Sequence, residues 1–120
     1  MSQLSILIIE DEAIIGMLLS EVLVGMGHRV IGVVGTESAA VTLAAEYLPD
    51  LLIVDAGLTM GNGVSAVDNI LASRYVPHFF TTGNALKVRL QKPDAIILEK
   101  PFHEAEIAEA ITQALSQQPA

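Results

Sequence analysis

The chain has no cysteine and no tryptophan, few aromatic residues, and only six lysines and arginines. The absence of cysteine excludes disulfides and thiolate metal sites. The basic residues are scattered and the net charge is −8, which argues against a nucleic-acid surface because phosphate contacts need clustered lysine and arginine. No hydrophobic run approaches the roughly 18 residues that span a bilayer, and the N-terminus lacks the basic start of a signal peptide. We therefore expect a soluble, cytoplasmic protein without membrane contact, whose charge suits a cation or a basic partner.

The apolar residues, 52% of the chain, follow a regular alternation. A chain of 120 residues has the length of one domain, so we expect a single unit over residues 1–120. Short apolar runs alternate with segments of helical period, which predicts an α/β fold with a parallel sheet covered on both faces. The predicted strands span residues 4–9, 29–34, 51–55, 78–81 and 95–98, and the predicted helices span residues 12–26, 38–46, 63–73, 84–90 and 103–117.

Chemically active side chains stand where the predicted strands end. The carboxyl ends of parallel strands meet at one edge of the sheet, where ligands gather in such folds. The residues at these ends are Glu10 and Asp11, Asp55, Thr82, and Lys100. Each has an ordinary alternative role, since acids begin helices, Asp and Thr occur in turns, and a lysine can simply be solvated. Together these alternatives require four coincidences at one edge, so we expect a single site.

Three neighbouring carboxylates repel one another unless a hard divalent cation lies among them, and Mg²⁺ prefers oxygen ligands. We therefore predict a magnesium site among the carboxylates of Glu10, Asp11 and Asp55, with the backbone carbonyl of Gly57 close to the metal. An ionised Asp55 can attack phosphorus and become an acyl phosphate. The hydroxyl of Thr82 and the ammonium of Lys100 would then offset charge on the phosphoryl oxygens.

The sequence resembles the receiver domain of the response-regulator family of two-component signalling over essentially its whole length. The resemblance rests on the acidic pair in ILIIEDE, the strand LLIVDAGL, the strand HFFTTGN and the stretch LEKPF. It implies a flavodoxin-like (βα)5 fold with strand order 2-1-3-4-5, and Mg²⁺ held by the acids and the Gly57 carbonyl. It also implies phosphorylation of Asp55 by a phosphohistidine on a partner, and a cis peptide bond between Lys100 and Pro101.

Three positions depart from the family pattern. Glu10 is one methylene longer than the usual aspartate, and Thr59 replaces the usual proline, which would loosen that loop. Ile97 occupies a position that commonly carries a tyrosine or phenylalanine that swings inward. The common aromatic switch is therefore absent or works differently.

The segment between Thr82 and Lys100 is about one helical turn shorter than receivers usually have, which predicts a short or irregular fourth helix. The TTGN stretch at its start resembles a subset of single-domain receivers. Members of this subset have Thr-Gly after the fourth strand and no aromatic switch, and the region is mobile in them.

The first predicted helix has a wide apolar arc that we assign to the core, comprising Ile15, Leu18, Leu19, Val22 and Leu23. Met17 and Val24 fall on a separate face, and scattered surface apolar residues are one explanation for them. In the family, this helix and the loop after Lys100 dock the histidine-bearing partner. We therefore favour docking of a histidine kinase or histidine phosphotransferase near Met17, Val24, Pro101 and Phe102.

The expected function is that of a stand-alone, phosphorylation-controlled signalling module that is not an enzyme. It would act in a phosphorelay, as a phosphate sink, or by binding a target protein. A second hypothesis is a degenerate receiver that binds partners constitutively, which Glu10 and Ile97 favour. A third is a Mg²⁺-dependent phosphatase, which is disfavoured because such enzymes carry a second acid two residues after the nucleophile, where this chain has Gly57.

Overall fold

The computed structural model describes residues 3–58 and 60–117, which form five strands and five helices in strict alternation. The strands are β1 (Ser5–Ile9), β2 (Arg29–Val34), β3 (Leu51–Asp55), β4 (His78–Thr82) and β5 (Ile97–Glu99). The helices are α1 (Ala13–Gly25), α2 (Glu37–Tyr47), α3 (Gly63–Leu71), α4 (Ala85–Gln91) and α5 (Glu104–Ser116). The prediction of a loosened loop at Thr59 concerns a position outside the described residues.

All the strands are parallel and form one sheet in the order β2-β1-β3-β4-β5. This confirms the predicted fold class and the implied strand order. Parallel neighbours require crossover connections, which here are the helices, and these cover both faces of the sheet. β1 and β3 lie side by side at the centre, with Ile9 in register with Val54. The residues that follow these two positions, Glu10 and Asp55, therefore lie next to each other at the carboxyl edge of the sheet.

Each face of the sheet has its own apolar layer, because successive side chains of a strand point to opposite faces. One layer packs Leu7, Ile9, Leu52, Val54 and Phe80 against α2, α3 and Val88 of α4. The other packs Ile6, Ile8, Leu51, Ile53 and Phe79 against α1 and α5. A strand buried on both sides needs a continuous apolar run, which explains the sequences of β1 and β3.

The predicted shortness of the fourth helix is confirmed, since α4 has seven residues and buries only Val88. β4 extends to Thr82, one residue beyond the prediction, and β5 begins at Ile97 rather than at residue 95. Within residues 3–58 and 60–117, no helix has both the length and the apolar character needed to cross a bilayer.

The assignment of Leu18 to the core was wrong, because its side chain is 54% exposed. α1 instead buries Gly16, Leu19 and Leu23. The helix approaches β2 so closely at Gly16 that a Cβ atom there would lie 2.7 Å from Cγ1 of Val33. This close approach puts Gly16 on the sheet side of the helix and turns Leu18 toward its outer surface.

Candidate functional site

Three acidic side chains meet at the carboxyl end of the central strands. Glu10 and Asp55 follow the paired residues of β1 and β3, so they stand at nearly the same level. Carboxylate oxygens of Glu10, Asp11 and Asp55 lie within 4.8 Å of one another, the one such group of metal-ligating side chains among the described residues. Glu10 and Asp55 are buried, at 3% and 7% exposure. The structure thus brings together the three acids that the sequence singled out.

Lys100 reaches this acidic cluster from the far side of β4. It follows β5 and forms a cis peptide bond with Pro101, as the family resemblance implied. Its Nζ lies 3.2 Å from Oε1 of Glu10 and 3.4 Å from Oδ2 of Asp55. Glu12 is more distant, at 4.0 Å, and largely exposed. The ammonium therefore bridges the two buried carboxylates and offsets part of their charge.

The protonation equilibria of the cluster reflect its burial and its excess of negative charge. Burial of the Glu10 carboxyl, with the neighbouring Asp55 carboxylate, raises the pKa of Glu10 from 4.5 to about 7. The Glu12 N–H donates to Oε2 of Glu10 at 3.1 Å and counteracts this only in part. Burial alone would lower the pKa of Lys100, but the carboxylates of Asp55 and Glu10 outweigh it and raise that pKa. With one ammonium beside three carboxylates, the cluster has an excess of negative charge.

Asp55 ends β3 and is held at both its side chain and its backbone. Its Oδ1 accepts a hydrogen bond from the Gly57 N–H at 2.9 Å, while Oδ2 faces Lys100. Gly63, the first residue of α3, packs directly on the Asp55 backbone, since a Cβ there would lie 2.0 Å from the Asp55 carbonyl oxygen. Only glycine fits at such a distance. The chain therefore comes back to Asp55 after residues 56–62 and starts α3 against its backbone.

Thr82 ends β4, the strand next to Asp55, and its side chain is buried. Its Oγ1 accepts a hydrogen bond from the Asn84 N–H at 2.9 Å, and a hydroxyl in this role can still donate its own hydrogen. Asn84 in turn caps α4, because its Oδ1 accepts from the Lys87 N–H at 3.2 Å. The Thr82 hydroxyl is thus linked by two hydrogen bonds to the first turn of α4.

Ile97 lies on β5 opposite Phe80 and is half-buried. It packs against the apolar layer that α2, α3 and α4 cover. An isoleucine has no ring that could rotate between an exposed and a buried position. The structure therefore offers no aromatic switch at this position.

An apolar groove of about 510 Å³ runs beside Lys100, between α1 and the start of α5. Its apolar lining comprises Ile15, Leu18, Leu19, Val22, Pro101, Phe102 and Ile107. Of the predicted docking residues, Pro101 and Phe102 line this groove. Met17 instead lines a separate hollow on the β2 side of α1, and Val24 is exposed but lines neither. Leu18 also lines the groove, although the sequence analysis assigned it to the core. The signal that could have placed it at the surface was the width of the apolar arc on the first helix, which exceeds what a core stripe requires.

A doubly wound parallel sheet with acids and a lysine at its carboxyl edge places the protein among the flavodoxin-like folds. The family model of the response regulator receiver domain matches residues 6–112, and the chain belongs to this family. Family membership makes two-component, phosphorylation-dependent signalling its general role.

Two curated relatives are similar in sequence. The chain is 40% identical to the phyllosphere-induced regulator PhyR of Methylorubrum extorquens over 114 residues, covering 92% of this chain and 43% of that protein. It is 34% identical to the transcriptional regulatory protein PdtaR of Mycobacterium tuberculosis over 115 residues, covering 92% of this chain and 56% of that protein. The chain therefore spans about half the length of the curated relatives it matches.

Solved structures of PhyR proteins are also similar to this chain. The solution NMR structure of the PhyR response regulator REC domain of Erythrobacter litoralis superposes with a TM-score of 0.87 at 30% identity, covering 99% of this chain and 97% of that one. The crystal structure of the anti-anti-sigma factor PhyR of Bartonella quintana gives a TM-score of 0.82 at 30% identity, covering 96% of this chain and 48% of that one. The likeness therefore extends over nearly all of this chain.

Proposed function

We propose that the protein is a phosphorylation-controlled signalling module in which Asp55 accepts a phosphoryl group from a phosphohistidine on a partner protein. The observation that carries this proposal is the arrangement of Lys100 and the acids around Asp55. Oδ2 of Asp55 lies 3.4 Å from the Lys100 ammonium, and its carboxylate is one of three within 4.8 Å. The Asp55 carboxylate therefore lies beside the Lys100 ammonium at the carboxyl edge of the sheet.

The proposed transfer is a single displacement at phosphorus. An Asp55 carboxylate oxygen forms the new P–O bond, and the P–N bond to the donor imidazole breaks. The electron pair of that bond stays on the imidazole nitrogen, which takes up a proton. The Lys100 ammonium and the Thr82 hydroxyl would donate hydrogen bonds to the equatorial phosphoryl oxygens, where charge is spread in the transition state.

The acidic cluster fits a divalent cation. Three carboxylates face one another with a single ammonium among them, and burial, together with the neighbouring Asp55 carboxyl, raises the pKa of Glu10 to about 7. Glu10, Asp11 and Asp55 would hold Mg²⁺, together with the Gly57 carbonyl, which the family resemblance implies as a fourth ligand. Bound there, Mg²⁺ would supply positive charge next to the phosphoryl oxygens.

The partner would approach over the apolar groove beside Lys100. Leu18, Pro101 and Phe102 present apolar surface within reach of the acidic cluster, which suits a helix that carries a phosphohistidine. Among the relatives, PhyR of Bartonella quintana is described as an anti-anti-sigma factor and PdtaR as a transcriptional regulatory protein. For this chain, we propose that phosphorylation of Asp55 controls the binding of a target protein. The alternative roles, in a phosphorelay or as a phosphate sink, would use the same phosphoryl transfer to Asp55.

A constitutive binding module is the second candidate, and the observation that favours it is Ile97. Without a ring at this position, a phosphoryl group on Asp55 would have to reshape the surface by another route, such as the hydrogen bonds from Thr82 through Asn84 to α4. A phosphatase acting on external substrates is disfavoured, because position 57 is a glycine where a second acid would be needed. Turnover of a generic phosphomonoester would restore that third possibility.

The deciding experiment is phosphorylation by acetyl phosphate with and without Mg²⁺, followed by intact-mass measurement. We expect a gain of one phosphoryl group that depends on Mg²⁺ and is lost in Asp55→Asn. Asp94→Asn is the matched control, because Asp94 is an exposed acid remote from the cluster. Failure of the wild type with both acetyl phosphate and a phosphorylated histidine phosphotransfer protein would favour the constitutive binder.

A further inference from the structure

The carboxylate of Glu37 joins α2 to the end of the loop that follows Asp55 and to the start of α3. Glu37 is the first residue of α2, and its side chain is half-buried. Its Oε1 accepts a hydrogen bond from the Asn62 N–H at 3.1 Å. Its Oε2 accepts from the Ser65 hydroxyl at 2.7 Å and from the Asn69 side-chain amide at 2.8 Å. One side chain of α2 thus binds the cap and the first two turns of α3.

The same loop contacts α2 through its backbone. Thr36, which caps α2, forms an isolated parallel bridge with Met60, and the Glu37 N–H lies 3.4 Å from the Met60 carbonyl oxygen. Gly61 has a φ of +90°, and a Cβ there would lie 2.7 Å from Cβ of Glu37. Glycine is therefore required at position 61 by both its backbone conformation and the closeness of Glu37.

The charge of Glu37 suits this position. It lies in the first turn of α2 and accepts hydrogen bonds from the cap and the first turn of α3, so it faces the amino-terminal ends of two helices. Both helix dipoles favour a negative charge there. Charge-assisted hydrogen bonds of this kind are stronger than neutral ones. A neutral side chain would not hold three donors in the same way.

The other end of the loop is the candidate phosphoryl site. The Gly57 N–H donates to Oδ1 of Asp55, and the Ala56 N–H donates to the Thr81 carbonyl at 3.0 Å. The start of the loop is therefore bound to β3 and β4. Its end is bound to Glu37 and, through the hydrogen bond from the Gly63 N–H to the Ala56 carbonyl at 3.2 Å, to the start of the loop. Because Gly63 packs on the backbone of Asp55 and Ala56, we expect a shift of α3 at the Glu37 end to move the backbone at Gly57.

We propose that Glu37 is a positioning residue that fixes the loop after β3, so that Gly57 keeps its place beside Asp55 and the acidic cluster keeps its affinity for a divalent cation. This inference rests on the proposed phosphoryl-acceptor function for its consequence, whereas the anchoring of the loop can be measured without it. Residues that orient metal ligands from outside typically change metal affinity tenfold or more when removed. We therefore expect Glu37→Ala to raise the Mg²⁺ dissociation constant roughly tenfold.

The test compares Glu37→Ala with Glu46→Ala, which removes the same charge from an exposed position near the other end of α2. Amide hydrogen exchange in the absence of metal is the first readout. Gly57 is the informative position, because its N–H bonds to Asp55 and not to Glu37. Mg²⁺ affinity, measured by calorimetry, is the second readout. The third is the phosphorylation rate with acetyl phosphate as the Mg²⁺ concentration is increased.

Faster exchange at Gly57 and weaker Mg²⁺ binding in Glu37→Ala alone would support the proposal, as would a phosphorylation rate that saturating Mg²⁺ restores. Unchanged exchange at Gly57, or equal losses in Glu46→Ala, would overturn it. If the wild type bound no divalent cation and accepted no phosphoryl group, the proposed function would fail. Exchange at Gly57 would still decide whether Glu37 positions the loop.

A milder variant guards against loss of folding in Glu37→Ala. Asn69→Ala removes one of the three hydrogen bonds from an exposed residue of α3. We expect a smaller effect in the same direction, whereas no effect on either exchange at Gly57 or Mg²⁺ affinity would count against the anchoring role. Glu37→Gln, which keeps the shape but cannot accept all three bonds, should fall between the wild type and Glu37→Ala.

Discussion

The Nζ atom of Lys100 lies 3.4 Å from Oδ2 of Asp55, although 45 positions separate the two residues along the chain. The same ammonium lies 3.2 Å from Oε1 of Glu10, whose side chain is almost fully buried. Because both carboxylates are shielded from water, neither is easily stabilised by solvent if the lysine is removed. Lys100 therefore contributes to stability as well as to the proposed chemistry.

Lys100→Met should lower the free energy of unfolding by on the order of 2 kcal/mol at neutral pH without Mg²⁺. The loss is smaller than for a fully buried pair because Lys100 keeps some contact with water. Urea unfolding measures it. The control is Lys92→Met, which breaks the exposed ion pair with Asp68 and should cost no more than about 1 kcal/mol. Equal effects of the two variants would contradict the prediction.

The raised pKa of Glu10 predicts a pH-dependent stability. The folded protein binds the Glu10 proton more tightly than the unfolded chain does, so this group stabilises most below pH 4.5 and its contribution is lost as the pH rises toward 7. Without Mg²⁺, Glu10→Gln should therefore become more stable relative to wild type as the pH rises from 4.5 to about 7, by on the order of 2–3 kcal/mol. Urea unfolding at pH 5 and pH 7.5 in EDTA measures it, and a difference that stays constant with pH would refute it.

Mg²⁺ should stabilise the folded protein, because it binds the cluster only when the three acids are assembled. At ten times its dissociation constant, the ion should raise Tm by roughly 5 °C. Thermal unfolding with and without Mg²⁺ tests this. Asp11→Asn should lose most of the increase and Asp94→Asn should keep it. An increase retained in Asp11→Asn would mean that the ion binds elsewhere.

Leu48→Gly should stabilise the protein by about 0.5–1 kcal/mol. Leu48 ends α2 in the left-handed conformation with a φ of 49°, and its side chain is 59% exposed. Glycine removes the steric cost of that conformation, which exceeds the entropy it adds to the unfolded chain. Leu48→Ala is the control, because it removes the same contacts without relieving the backbone. A gain in Leu48→Ala as large as in Leu48→Gly would show that the backbone is not the cause.

The groove residue Leu18 should matter for partner docking and not for the chemistry. Leu18→Asp should slow phosphoryl transfer from a phosphorylated histidine phosphotransfer protein at least tenfold, because it places a charge in the apolar groove. Its rate with acetyl phosphate should be unchanged. Met17→Asp, on the other flank of α1, is the matched control. A larger loss of this transfer rate in Met17→Asp than in Leu18→Asp would place the docking surface on the face of α1 that carries Met17, as expected from the sequence.

Much of the fold could be predicted because it depends on local patterns. The alternation of apolar runs with helical segments allows few topologies besides a parallel sheet with crossover helices. The short α4 followed from the limited chain between Thr82 and Lys100. The ends of helices and strands were predicted less accurately. The bounds of β5, for example, depend on its short pairing with β4, which is a tertiary contact that local sequence does not specify.

The sequence by itself determined which side chains stand at the carboxyl edge of the sheet, because a parallel sheet brings all its strand ends to that edge. Only the tertiary structure decided how they meet: the register of Ile9 with Val54 beside Glu10 and Asp55, and the reach of Lys100 across β4. It also decided the rotation of α1 at Gly16, which exposes Leu18, and the contacts of Glu37 with residues 25 to 32 positions away. No local pattern records these features, because each depends on the distance between side chains that packing alone brings together.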